Sequence, residues 1–430
     1  MAPAVLPRRR QHLARQIDHW TGAAVRLARL EDLAGAGAWS FLEEYLGVSV
    51  RSYLRGVVER MVRRGDVLRR TLDSAETDDD LVLVQRQLLA FRRHYLRAET
   101  TVDFYADAIN TRTNPVQGGL LRACDTLAHR SMAGVLDPLG YDTPIALTYV
   151  DKGLGASILK AGLRLWDGGA LSPAAAIKIV RHNLHRPTAL VHEAGHQVAH
   201  ITRWNGELAR MIERGIAGSG SLARVWAGWS SEIAADAVAF AHTGYGSVLA
   251  LHDVLAGEPG FVFQVIDGDP HPMSFLRLLL GIEMCRLAWG DGPWDGLASS
   301  WRDSYPLSFA SAHERVLVEA SARAIPDVAR LTLAAPAQAF RGRSLMDIVP
   351  PARVSPMALE ELELKLGPAL YTSSHWIWTE CLRLLAISAL RTGDDHRAAG
   401  AAGVEQGVSA TARVPADSWM LRLGGVQQAA

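Results

Sequence analysis

Val191-His192-Glu193-Ala194-Gly195-His196-Gln197-Val198-Ala199-His200 places two histidines four positions apart, with a glutamate directly after the first. Pro187 stands ahead of the stretch, apolar residues run through it and Asn205-Gly206 follows as a stop, so the pattern predicts a helix. Positions four apart on a helix lie one above the other on the same face. His192 and His196 can therefore direct two imidazole nitrogens at one metal ion. Glu193 sits off that face, wrongly placed to be a third ligand but close enough to take a proton from water beside the ion. Leu190, Val191, Ala194, Val198, Ala199 and Ile201 mark the helix as buried. Buried imidazoles and a buried carboxylate need partners, because desolvating them unpaired is expensive.

With 430 residues, 49% of them hydrophobic, the chain can build two or three domains' worth of core. Its 45 basic and 45 acidic residues leave no formal net charge, so no global field points to nucleic acid or to an anionic membrane. Cys124, Cys285 and Cys381 are far apart and form neither a metal-ligand spacing nor a disulfide framework, which predicts a reducing, cytoplasmic setting. Arg8-Arg9-Arg10 has no apolar segment behind it, so no secretory leader is expected, and no long uncharged apolar run predicts a membrane span.

Taken in order, the chain reads as mainly α with a small β-sheet (α+β). Residues 1–135 form a helical N-terminal region. Leu54, Val57, Val58, Met61 and Leu68 make one apolar stripe between Phe41 and Leu72. Around it lie Arg51, Arg55, Arg60, Arg63, Arg64, Arg69 and Arg70, a candidate docking face for an acidic partner or a nucleic acid, although such a face is more often simply solvated or paired with neighbouring acids. Thr77-Asp78-Asp79-Asp80 opens a second helix with acids where the helix dipole favours them. Leu81, Val84, Leu88, Phe91, Tyr95, Ala98, Val102, Tyr105 and Ile109 then keep a heptad seam, as in a long antiparallel hairpin.

Residues 136–300 change character. Strands are expected over Thr143–Val150, Ser157–Trp166 and Ala175–Val180, and an edge of such a sheet can pair with an extended peptide. After the histidine helix come helices over Leu222–His242, Ser247–Leu255 and Phe275–Trp289. Residues 301–392 read as helical over Ser308–Ala324, Pro356–Leu366 and Ser373–Leu390. Residues 393–430 turn to Ala, Gly, Ser and Gln without periodicity and are expected to lack order.

Glu232-Ile233-Ala234-Ala235-Asp236 follows the histidine helix, and with it the chain resembles the gluzincin metallopeptidases, which pair H-E-x-x-H with E-x-x-x-D on a second helix. The resemblance covers about residues 140–290. It implies a zincin-like core, a Zn2+ ion held by His192, His196 and Glu232, and Asp236 as the carboxylate behind a ligating histidine. His271-Pro272 to Arg277 is similar to an H-P…R element that helps close the substrate cleft in the prenyl-protein and heat-shock-type members. The membrane helices of those members are absent. Metzincins fit less well: Ala199 stands where they need Gly, and Thr202 where they need a third His.

The spacing agrees with Glu232 as third ligand. His200 is eight residues from His192, about 12 Å of rise along a helix, so one ion cannot reach His192, His196 and His200 on a straight helix. Glu207 lies beyond the stop and would need the chain to fold straight back, whereas Glu232 leaves room for a loop and a return helix. Read this way, the chain is a zinc-dependent peptidase acting on a peptide or protein substrate, with Glu193 as general base. His271 and Tyr245 are the candidate donors to the developing oxyanion. His182, His185, His200, His242 and His252 read as packing or surface residues. The alternative is an inactive or regulatory zinc-binding protein whose N-terminal helices bind a protein partner. Glu193 argues against it, since such a protein has no need of the base.

Overall fold

The computed structural model describes residues 5–151, 157–159, 174–216, 220–391 and 418–426. It is mainly α with one small sheet. By its internal contacts the chain divides at Thr113/Asn114 into two units.

In the first unit the heptad seam and the apolar stripe are the core. Helix α1 (Val5–Leu27), α2 (Ala36–Leu46), α3 (Val50–Asp73) and α4 (Asp78–Asn110) make up most of it. Every seam residue from Leu81 to Ile109 is buried, as are Leu54, Val57, Val58, Met61 and Leu68. α3 and α4 pack together as the seam requires, and α1 adds a third helix to the pair. Thr77 accepts from the Asp80 N–H and the Asp80 carboxylate accepts from the Thr77 N–H, which closes the start of α4. The single helix expected from Phe41 to Leu72 is instead two, broken at Gly47, whose φ of 63° suits glycine. The arginine face of α3 is largely paired within its own unit: Arg51 with Glu43 at 2.6 Å, Arg55 with Glu31 at 2.8 Å and Arg69 with Asp18 at 2.5 Å.

The second unit begins with α5 (Pro115–Leu136), capped by the Asn114 side chain. β1 (Ile145–Val150), β2 (Ser157–Leu159) and β3 (Ala174–Ile179) form a sheet in the order β1-β3-β2. β2 is antiparallel to β3, with Ile158 opposite Ile177, and as an edge strand it lies against the next helix. The remainder of the second expected strand, beyond Leu159, lies outside the described residues.

α6 (Thr188–Ile201) carries the two histidines and ends at Thr202, three residues before the expected stop. The Thr202 hydroxyl donates to the Val198 carbonyl, and Arg203 turns the chain with a φ of 60°. Asn205-Gly206 lies inside α7 (Trp204–Gly215). The helix expected over Leu222–His242 is two, α8 (Gly220–Gly228) and α9 (Ser230–Thr243), because the backbone leaves helical geometry at Trp229. Then follow α10 (Tyr245–Leu255), α11 (Pro259–Val262), α12 (Ser274–Trp289) and α13 (Pro293–Ser304). α14 (Ala312–Leu333) runs nine residues past its expected end at Ala324 and through Pro326. α15 (Leu345–Ile348), α16 (Pro356–Leu366), α17 (Ala369–Thr372) and α18 (Ser374–Leu390) complete the succession.

A correction concerns the tail. Ser418–Val426 is a helix, α19, with Trp419, Met420 and Leu423 buried. It packs on α5 so closely that a Cβ added to Gly424 would stand 2.0 Å from the Gly119 carbonyl oxygen. The Arg122 Nε donates to the Gly424 carbonyl at 2.9 Å. No helix among the described residues is long and apolar enough to cross a membrane.

What positions the site is the close crossing of α6 on α9. Gly195 makes it work: a Cβ there would lie 2.9 Å from both the Cα and the carbonyl oxygen of Ala235. Ala235 falls between Glu232 and Asp236 on α9, as Gly195 falls between His192 and His196 on α6. The close approach therefore brings the two polar pairs face to face.

Candidate metal centre

His192 and His196 occupy successive turns of α6, with their rings edge-on at 4.7 Å between centroids. Across the crossing, Glu232 takes a position between them. Its Oε2 is 3.4 Å from His192 Nε2 and its Oε1 is 3.2 Å from His196 Nε2. One ligand atom from each of the three lies within 4.8 Å of the others, and the group could hold a metal ion. Ligands at about 2.0–2.1 Å around a tetrahedral ion stand about 3.3 Å apart. Each histidine stands at about that distance from one of the two Glu232 oxygens, and two imidazoles with one carboxylate form a donor set suited to a divalent ion, so the residues fit the group.

Behind the ligands lies a second layer. The Asp236 Oδ1 is 2.8 Å from His192 Nδ1, which holds the ring so that Nε2 points at Glu232. His196 Nδ1 has Ser231 Oγ at 3.5 Å, the outer limit of a hydrogen bond, and Asn205 reaches the same hydroxyl. Arg277, buried on α12, donates from Nε to Asp236 Oδ2 at 2.7 Å and from Nη2 to Asp236 Oδ1 at 2.8 Å. The same Nη2 donates to Glu232 Oε2 at 3.1 Å. One guanidinium thus ties the third candidate ligand to the carboxylate that orients the first. Sequence reading had attached Arg277 to cleft closure only. Its signal is an arginine in an otherwise apolar run, Phe275 to Ile282, where a charge needs a partner.

The electrostatics follow from this network. Burial would drive the acids up, but His192, His196 and Arg277 hold Glu232 far below the ordinary carboxylate range. Asp236, likewise resisting burial through Arg277 and His192, sits at about 2. Burial pulls the His192 imidazole down, yet the Asp236 charge and hydrogen bonds to Asp236 and Glu232 outweigh it and lift the ring to about 9. Burial pushes the Glu193 carboxyl up, against the pull of both histidines. Glu193 is thus the one acid of the cluster shifted toward proton uptake.

These groups open on a cleft of about 750 Å³, whose lining includes His192, Glu193, Glu232, Asp236, His271 and Arg277. His271 is exposed at the rim. Its Nδ1 is 2.5 Å from Asp269 Oδ1 and its Nε2 is 3.7 Å from Glu232 Oε2, so Asp269 turns the ring toward the cluster. Tyr245, the other candidate oxyanion donor, is not brought there. It is buried at the start of α10 with its ring edge-on to Trp294 at 5.6 Å, and it does not line the cleft. Its place is fixed by Gly244, whose φ of 59° ends α9 and sends the next residue into the core. Of the weighed competitors, Glu207 accepts from the Gln338 and Ala339 N–H groups, and His200 lies outside the ligand group. No family model matches this chain, and neither a curated protein nor a solved structure matches it.

Proposed function

We propose that the chain is a zinc-dependent peptidase of the gluzincin type, with His192, His196 and Glu232 as its zinc ligands. The observation that carries the reading is the joint geometry of α6 and α9: one ligand atom from each of three residues within 4.8 Å of the others, with Glu193 beside them in the same cleft. A zinc ion bound there would polarise a carbonyl and lower the pKa of water in its open position to about 7.

The chain's own residues supply the rest. Glu193 is not in the ligand set, so its carboxylate is available to take a proton from the attacking water and deliver it to the leaving amine nitrogen. Its burial raises its affinity for that proton, which suits a base that must also act as an acid. The Asp236 carboxylate keeps His192 in the tautomer that leaves Nε2 as a donor atom. His271, turned by Asp269, can donate from Nε2 to a developing oxyanion when its ring is protonated. Among the described residues β2 is an edge strand against α6, and such an edge can receive an extended peptide. A cytoplasmic setting belongs to the same reading, supported by three buried cysteines that form no disulfide.

The regulatory alternative rests on the arginine face of α3, and the pairing of that face with Glu43, Glu31 and Asp18 weakens it. Digestion of a defined peptide library by the zinc-loaded protein, read by mass spectrometry, tests the peptidase reading. Cleavage at peptide bonds that stops with a chelator and returns with zinc is the expected result. A fully zinc-loaded protein that cuts no peptide in the library would overturn it.

A further inference from the structure

The cleft is chemically two-sided. One wall is apolar and is made by Leu251 and Leu255 of α10, Leu280 and Met284 of α12 and Leu390 of α18. The other, just ahead of α6, carries Arg186. Arg186 is half-buried and, among the described residues, makes no ion pair or side-chain hydrogen bond. This sets it apart from Arg277 in the same cleft, which is fully engaged by Asp236 and Glu232. The apolar wall carries the opposite sign at its edge, since Asp253 of α10 also lines the cleft and is exposed. The lining thus carries a cation without a partner and an exposed acid on different elements.

We propose that Arg186 is a specificity-determining residue, which selects peptides carrying an acidic side chain close to an apolar residue seated between α10 and α12. The inference rests on the peptidase reading for the cleft's occupant and adds the class of peptide. Arginine suits the task because its planar fork meets a carboxylate with two parallel N–H donors. Six residues before His192, Arg186 lines the same cleft as His192 and Glu232, so a peptide lying in that cleft can meet both. The apolar wall supplies affinity through burial, and the paired charges set which way the peptide lies.

The test is a binding measurement on the full chain carrying Glu193→Gln, which leaves the ligand set intact. Leucine-centred pentapeptides are prepared in matched pairs, Asp against Asn, with the acid moved through the four other positions. Dissociation constants come from fluorescence anisotropy, and zinc content is measured on the same samples. At one position or more the Asp peptide should bind about tenfold more tightly than its Asn partner. Arg186→Ala should bring that ratio to about one, Arg186→Lys should keep part of it, and Arg186→Glu should invert it. Equal binding of the pairs at every position, a preference that survives Arg186→Ala, or no binding of any peptide would each overturn the inference. A zinc-loaded protein without preference removes the Arg186 role alone. An Arg186-dependent preference in a protein that cannot hold zinc removes the peptidase reading alone.

Discussion

Glu193→Gln is expected to keep its metal and lose turnover. Gln is nearly isosteric with Glu, and Glu193 is not among the three residues whose ligand atoms converge, so metal content should stay at the wild-type level. What the amide cannot do is accept a proton from water. General-base catalysis is worth on the order of 10²–10⁴-fold, so kcat should fall by that factor. KM should change little, because the substitution removes an interaction made chiefly in the transition state. Steady-state kinetics on any peptide cut by the wild type, with metal content determined in parallel, checks this. Turnover at the wild-type rate would show that Glu193 is not the base.

Arg277→Met should be the most destabilising single change at the site. The Arg277 side chain is 9% exposed and lies between two carboxylates that are themselves buried or nearly so. Removing it leaves Glu232 and Asp236 with only His192 and His196 to offset their charges. Breaking a buried ion pair by deleting one partner costs about 3–5 kcal/mol. For a unit of this size that is roughly 10 °C in melting midpoint for the metal-free protein. Adding Asp236→Asn to Arg277→Met should restore part of the loss, since it removes one of the two carboxylates that lost the guanidinium. A metal-free Arg277→Met protein melting within a degree or two of wild type would mean that the network contributes little.

The parts of the site that could be read from the chain are those written in local spacing. His192 and His196 share a face because they are four apart, and Glu232 and Asp236 share one for the same reason, so two short motifs sufficed to name four residues. The seam of α4 was legible likewise, because its apolar residues recur in steps of three and four over many turns. Arg277 was not legible in its real role: its partners are 41 and 45 residues away, and no local pattern encodes that contact. Tyr245 was misplaced because a residue at a helix start can face either way, and the φ of Gly244 decides. α19 was missed because nine residues, three of them small or glycine, carry no periodicity without the groove of α5 to bury Trp419. The helix expected over Ser308–Ala324 stops short of Pro326, whereas α14 runs through it: a proline removes one hydrogen bond, and neighbouring contacts can keep a helix running.

The central claim is that α6 and α9 together hold one zinc ion. It is tested most directly by measuring bound zinc per chain, by elemental mass spectrometry after reconstitution and removal of excess metal, on the wild type and on His196→Ala and Glu232→Ala. The account predicts close to one zinc per wild-type chain, with most of it lost in both variants and the loss accompanied by a lower melting midpoint, since a ligand of the folded state stabilises it. Substoichiometric zinc in the wild type, or full occupancy in Glu232→Ala, would contradict it.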